Sequence, residues 1–250
     1  MKARWLSQYL IVVFVVLFGL SGCAMQPTMG ANGESYVAFK DKKLLSKEQA
    51  KLLDRDLRAS RIKRDMKAVG FEFDSVSPLF DGINYSILKI FKNQYELLDR
   101  YKTLVDNHKD VMSFINANKD KSPAELLAEA KRLDAQLTKS LSPGKKHKSI
   151  VKKMKEYQIA TASIYAENTR LAAELLLQGV RMAAILRDNF EEVIGVEGIA
   201  MLLNAAKLHK QSKLAEARLH MSAVANEFID DEKAVIDITK EIQKIIDQQI

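Results

Sequence analysis

Apolar residues return along most of this chain at intervals of three and four, the spacing that lines up one face of a helix. The clearest run follows Ser77-Pro78, where proline fits the first helical position without losing a needed donor. Apolar pairs then stand seven apart at Ile90-Phe91, Leu97-Leu98, Leu104-Val105 and Val111-Met112, with Ile87, Tyr101, His108 and Ile115 between them. That spacing predicts one long helix from Pro78 to about Asn116, packed along its whole length and spanning roughly 60 Å at about 1.5 Å per residue.

Other helices announce themselves by their ends. Ser46-Lys47-Glu48-Gln49 has the layout of a capping box and opens a helix that closes near Gly70, a natural left-handed stop. Ser122-Pro123-Ala124-Glu125 repeats that layout before a shorter helix lined by Leu126, Ala130, Leu133 and Leu137, which stops at Ser142-Pro143-Gly144. A fourth helix from about Ser149 turns Met154, Tyr157, Ile164, Leu171, Leu175, Met182 and Ile185 inward, and broadens at Leu175-Leu176-Leu177 as if enclosed by several neighbours. The stretch from Asn189 to Gly198 breaks the pattern, since Gly195 and Gly198 each weaken helix by about 1 kcal/mol relative to alanine. From Ile199 onward the periodicity returns as Met221, Phe228, Val235 and Ile242 interleaved with Val224, Asp231, Ile238 and Ile245. No segment alternates with hairpin signals, so essentially no sheet is expected. No clean repeat of about 30 to 45 residues points to a solenoid either. The expected fold is all-α: an elongated antiparallel helical bundle with long coiled-coil-like helices over residues 46–250.

The chain's start differs in kind. Lys2 and Arg4 precede an unbroken apolar run from Leu10 to Leu20, the layout of a secretory signal and close to half of the roughly 20 residues a spanning helix needs. Leu20, Ser21, Gly22 and Cys23 follow directly. Here the segment resembles the signal peptide of bacterial lipoproteins, whose lipobox reads Leu, a small residue, Gly or Ala, then Cys. The resemblance covers about the first tenth of the chain. It implies that Cys23 is diacylated, that cleavage between Gly22 and Cys23 removes residues 1–22, and that the new amino terminus is acylated in turn. Ala24 and Met25, in place of an Asp after the Cys, imply the periplasmic leaflet of the outer membrane. Residues 23–45 then form a lipidated start and a flexible tether, its first part Ala24 to Ser35 being small, polar and rich in turn formers.

Composition sharpens this picture in two places. The only Cys is the one in the lipobox, so thiol catalysis and disulfides are both excluded if it carries lipid. Lys and Arg number 39 against 32 Asp and Glu, and removal of Lys2 and Arg4 lowers the formal charge from +7 to +5, too mild an excess to suggest nucleic acid. The chemistry of an enzyme is missing. A di-iron bundle needs Glu-x-x-His, yet none of His108, His147, His209 and His220 has a Glu three residues before it. His209 and His220, eleven apart on one helical face, lack the carboxylates of a metal site. His108 and Asp231 fall at heptad core positions and are read as structural. Gly144-Lys145-Lys146 is not a phosphate loop, and no Gly-x-Ser-x-Gly elbow occurs. No catalytic residue, cofactor or metal is expected.

Lys145, Lys146, Lys148, Lys152, Lys153 and Lys155 cluster around the entry to the fourth helix. Such a run is either a solvated helix end or a patch for anionic lipid or cell-wall polymer. Arg55, Arg58, Arg61, Lys63, Arg64 and Lys67 form a second basic face, interrupted by Asp54 and Asp56. The function expected is a lipid-anchored, envelope-facing scaffold or adaptor with a protein partner. Two alternatives stand beside it: a carrier enclosing a lipid or other apolar ligand in the bundle, and a membrane-active protein inserting Leu171 to Ala206, where several charged residues make spanning costly.

Overall fold

A computed structural model describes residues 28–29, 35–39, 42–140, 148–188, 198–231 and 233–248. Cys23, residues 1–22, Lys145, Lys146, His147 and the expected break at 189–197 lie outside them. Helices dominate, as expected: α1 (Lys47–Lys51), α2 (Arg55–Val69), α3 (Pro78–Asn107), α4 (Lys109–Ala117), α5 (Pro123–Ser140), α6 (Ile150–Asp188), α7 (Gly198–Asp231) and α8 (Lys233–Asp247).

Three short strands precede them in an otherwise helical chain: β1 (Thr28–Met29), β2 (Ser35–Phe39) and β3 (Lys42–Leu44). They pair antiparallel in the order β1-β2-β3, with Thr28 opposite Tyr36 and Phe39 opposite Lys42. Tyr36, Val37 and Phe39 are aromatic or β-branched and suit a strand, but a run this short leaves too few alternations to register as a periodic signal. Part of the stretch read as tether therefore carries paired backbone.

Helix starts follow local chemistry. Ser46 Oγ accepts the Gln49 N–H at 3.2 Å while Gln49 Oε1 accepts the Ser46 N–H at 3.5 Å, completing the box. The same reciprocity joins Ser122 and Glu125, at 3.4 and 2.8 Å. The first helix does not run unbroken to Gly70, however. Asp54 Oδ1 accepts the Leu57 N–H at 2.9 Å and starts α2 afresh, because a short acceptor side chain competes for orphan donors better than it tolerates a helix interior. Gly70 ends α2 at φ 88°, ψ 164°, a region only glycine enters easily. The long third helix is also divided. His108, at φ −122° and ψ 30°, bonds its N–H to Val105 O at 3.1 Å in a tightened turn, and the helix restarts as α4.

The chain separates into two compact units. The first comprises the described residues of Met1–Lys92 with those of Ala172–Val224. Its core is built by Phe80, Ile87, Met182, Ile185, Leu208 and Ala215, with Val76, Ile83, Leu186, Ala205 and Leu219 around them. Phe71 tilts against Phe91 with centroids 5.2 Å apart. The expectation that Leu175-Leu176-Leu177 is enclosed fails at Leu177, which is 47% exposed.

The second unit comprises Asn93–Leu171 with the described residues of Ala225–Ile250. Leu97, Leu98, Tyr101, Val105, Val111, Met112 and Ile115 are buried, so the apolar pairs form the core face that their spacing implies. Tyr101 meets Phe228 edge-on at 5.8 Å, and α8 packs on α5. Asp231 is exposed rather than inward, and Ile236 and Thr239 are buried where the heptad count selects Val235 and Ile238. Ile236 instead continues the buried series of Ser222 and Ile229 at seven-residue steps, and Ile242 of the expected series is buried as well.

Candidate functional site: the lysine cluster and the buried polar contacts

The first turn of α6 is held from outside. Asp134 of α5 accepts the Ile150 N–H at 2.7 Å, the Val151 N–H at 3.3 Å and the Ser149 hydroxyl at 2.5 Å. Ser149 Oγ accepts the Lys152 N–H at 3.2 Å. A carboxylate at that position satisfies orphan donors and complements the positive end of the helix dipole. It also fixes where the neighbouring lysines stand.

Of the six lysines in the cluster, four are described. Lys148 pairs with Glu156 at 3.1 Å, and Lys153 is hydrogen-bonded to Asp110 of α4. Lys152 and Lys155 are exposed. The Lys148 hydrogen bond holds the Glu156 carboxyl below its ordinary range, helped by the positive charge of Lys152. Burial pushes Asp110 up, but hydrogen bonds from Lys153 and the Val111 N–H outweigh it and leave that carboxyl lowered. Internal pairing thus reduces the cationic surface to less than the sequence count suggests. The second basic face is likewise divided: Arg58 is buried, while Arg61 and Arg64 lie beside Asp65 at 3.6 and 2.9 Å.

Amides inside the core went unnoticed in the sequence. In the second unit, Gln94 and Asn168 are 1% and 0% exposed. Gln94 Nε2 donates to Asn168 Oδ1 at 2.9 Å, and Asn168 Nδ2 donates to Asn226 O at 3.0 Å and Asp230 Oδ1 at 3.1 Å. Asn226 Nδ2 returns a bond to Asn168 O at 2.9 Å. Burial pushes the Asp230 carboxyl up despite the Asn168 amide. The first unit has its own chain, in which Asn84 Nδ2 donates to Gln211 Oε1 at 3.1 Å and Gln211 Nε2 to Asp74 at 3.2 Å. A sequence signal existed. Asn84, Gln94, Asn168 and Gln211 each stand three or four residues from buried apolar neighbours on the same helix, inside the apolar stripe.

Arg218 was also missed. It is 0% exposed, donates from Nε and Nη2 to Gly70 O at 3.3 and 3.1 Å, and bonds Glu72 O as well. These carbonyls belong to the turn that follows α2, so the guanidinium holds that turn against α7. Burial pushes its pKa down to about 10, with Glu72 opposing, and it stays charged at neutral pH.

His108 lies edge-on to Tyr157 at 5.6 Å, His209 is exposed, and His220 Nε2 bonds Leu45 O at 2.9 Å. Among the described residues no group of three or more His, Cys, Asp and Glu side chains is placed to hold a metal ion. None of the described helices is long and apolar enough to cross a membrane. Comparison with protein-family models, with curated proteins and with solved structures finds no match.

Proposed function

We propose that the protein is a lipoprotein of the cell envelope, fixed through acyl chains on Cys23 to the periplasmic leaflet of the outer membrane. Its helical body serves as a scaffold or adaptor for an envelope protein partner. The observation that carries this reading is the order Lys2, Arg4, an apolar run to Leu20, then Ser21-Gly22-Cys23. One acyl chain binds marginally at about 0.8 kcal/mol per buried methylene, whereas two or three make attachment durable without a spanning helix. In this reading the body is an elongated antiparallel bundle with coiled-coil-like pairing, which the seven-residue spacing of apolar pairs on α3 supports. Leu177 and Val180, three apart and exposed on α6, offer an apolar strip for a partner helix. Lys152 and Lys155 add contact with anionic lipid or cell-wall polymer, each contributing about 1 kcal/mol near a charged surface.

Two linked experiments test this. Cys23→Ser should abolish palmitate labelling and move the protein out of the membrane fraction. A photo-crosslinking side chain at position 177 in growing cells should yield one discrete adduct containing a second envelope protein. Unchanged fractionation of the Cys23 variant removes the anchor, and an anchored protein that gives no adduct removes the adaptor role.

A further inference from the structure

The chain between the lipidation residue and the helical body is shorter in reach than residues 23–45 suggest. Strand β1 opens at Thr28, five positions after Cys23, a separation of at most about 17 Å whatever course the chain takes between them. Thr28 stands opposite Tyr36 on β2, and Val37, the next residue of β2, stands opposite Leu44 on β3. Two strand spacings of about 4.8 Å and one step along a strand put Thr28 about 10 Å from Leu44. Leu44 and Leu45 are buried, and the Leu45 N–H donates to Asp65 Oδ2 of α2 at 2.9 Å, so the sheet is joined to the first unit. From Leu44 the chain passes through α1 to Leu52 in a span of at most about 18 Å. Leu52 therefore lies within about 45 Å of Cys23, and the junction between α1 and α2 is in reach of the bilayer that would hold the acyl chains.

What that junction presents is apolar and held in place. Leu52 is 85% exposed, the highest value for a large apolar side chain among the described residues, and Leu57 is 52% exposed. Their backbone is fixed by local bonds. The Leu52 N–H donates to Gln49 O and the Leu53 N–H to Ala50 O, both at 3.2 Å, while Asp54 Oδ1 accepts the Leu57 N–H at 2.9 Å. Ala50 on one side and Arg58, Ala59 and Ile62 on the other are buried. The junction is rooted in the unit and leaves two leucines outside it, apolar surface that gains free energy when covered.

Charge selects what covers it. Glu48, Lys51, Asp54 and Asp56 are exposed around the leucines, and Arg55 lies 3.5 Å from Asp56. Signs so mixed give no attraction to an anionic polymer or headgroup, whereas a zwitterionic lipid interface accepts leucine side chains without needing any.

We propose that the junction between α1 and α2 docks on the phospholipid interface, with Leu52 and Leu57 entering it, so that the first unit lies against the membrane that holds Cys23. The proposal rests on the acylation of Cys23 put forward above. Two leucines hold a free protein to lipid only weakly, but an anchor nearby makes their contact intramolecular and raises the effective concentration of the surface until a weak contact is populated.

Tryptophan reports the contact. The chain's single Trp is Trp5, within residues 1–22, so the processed protein has none, and Leu52→Trp adds one reporter at an exposed site. The acylated protein extracted from membranes is reconstituted into phosphatidylcholine vesicles with ordinary or with brominated acyl chains. Leu52→Trp should lose most of its emission in the brominated vesicles, at low and at high salt alike, and Leu57→Trp a smaller part. Tyr85→Trp, at a position 59% exposed on α3 of the same unit, should keep its emission. Equal emission of Leu52→Trp in both kinds of vesicle, quenching at position 85 equal to that at 52, or quenching abolished by salt overturns the proposal. A blue-shifted Leu52→Trp that bromine does not quench means that a second copy covers the junction, and overturns it as well. The anchor is read separately, in the wild-type protein. A wild-type chain that does not float with the vesicles, or that shows Trp5 emission, contradicts the lipoprotein reading and the docking with it, whereas a floating chain with unquenched Leu52→Trp leaves the anchor standing.

Discussion

Replacing Asn168 with Leu tests the buried amide chain. Asn168 is fully buried and serves Gln94, the Asn226 carbonyl and Asp230. Leucine of similar size leaves the Gln94 amide without this partner, at a desolvation cost of about 1–3 kcal/mol, and removes a bond to a carboxylate worth about 1.5–3 kcal/mol. Asp230 is only partly buried and recovers some of that loss from water. Apolar burial by the new side chain offsets a further part, leaving a net loss of about 2 kcal/mol. Gln94→Leu strands Asn168 Oδ1 and should cost about 1–2 kcal/mol. The double variant replaces both amide partners by apolar groups, which can be nearly neutral for that pair. It should therefore be less destabilised than the sum of the singles by at least about 1 kcal/mol. Urea unfolding followed by far-UV circular dichroism measures all four corners of this cycle. Additivity within about 0.3–0.5 kcal/mol would mean that the amides do not act as a coupled pair. The penalty of Asn168→Leu should also shrink on acidification, because a protonated Asp230 demands less of its donor.

Gly70→Ala meets no atom within 4 Å of the added carbon, but its φ of 88° is one an alanine rarely adopts, so thermal melts should show a loss of about 1–3 kcal/mol. Asp134→Ala removes a charged cap from the first turn of α6 and should cost about 1.5–3 kcal/mol, with hydrogen exchange of Ile150 and Val151 rising before that of Tyr157. The Lys153 bond to Asp110 stabilises fully above the ordinary carboxyl value and is lost as pH falls through the lowered one. Lys153→Gln should accordingly flatten the acid limb of the stability profile while costing at most about 1 kcal/mol at neutral pH.

What could be read from the sequence was local or periodic. Ser46 with Gln49 and Ser122 with Glu125 are reciprocal contacts across three residues, and both boxes form. The apolar pairs from Ile90 to Met112 needed only a helix to become a buried face, and they did so apart from Leu104, which is half-buried. What could not be read depends on distant partners. Asn168 looks like a surface amide until Gln94, 74 positions away, is beside it. Arg218 gave no sign of burial because its acceptors are main-chain carbonyls of the turn after α2, which every sequence possesses. The breaks at Asp54 and His108 were hidden by apolar patterns that continue across them, since periodicity records which face is buried and not whether the backbone stays helical. In the lysine run, the sequence reveals six cations but not that Asp110 and Glu156 engage two of them.

Lipid on Cys23 is the claim on which the envelope reading rests, and mass spectrometry of the protein extracted from membranes tests it directly. The expected result is a chain that begins at Cys23, with a diacylglyceryl group on sulfur and a third acyl chain on the new amine. A membrane-extracted chain that retains residues 1–22, or that carries Cys23 as a free thiol, contradicts it.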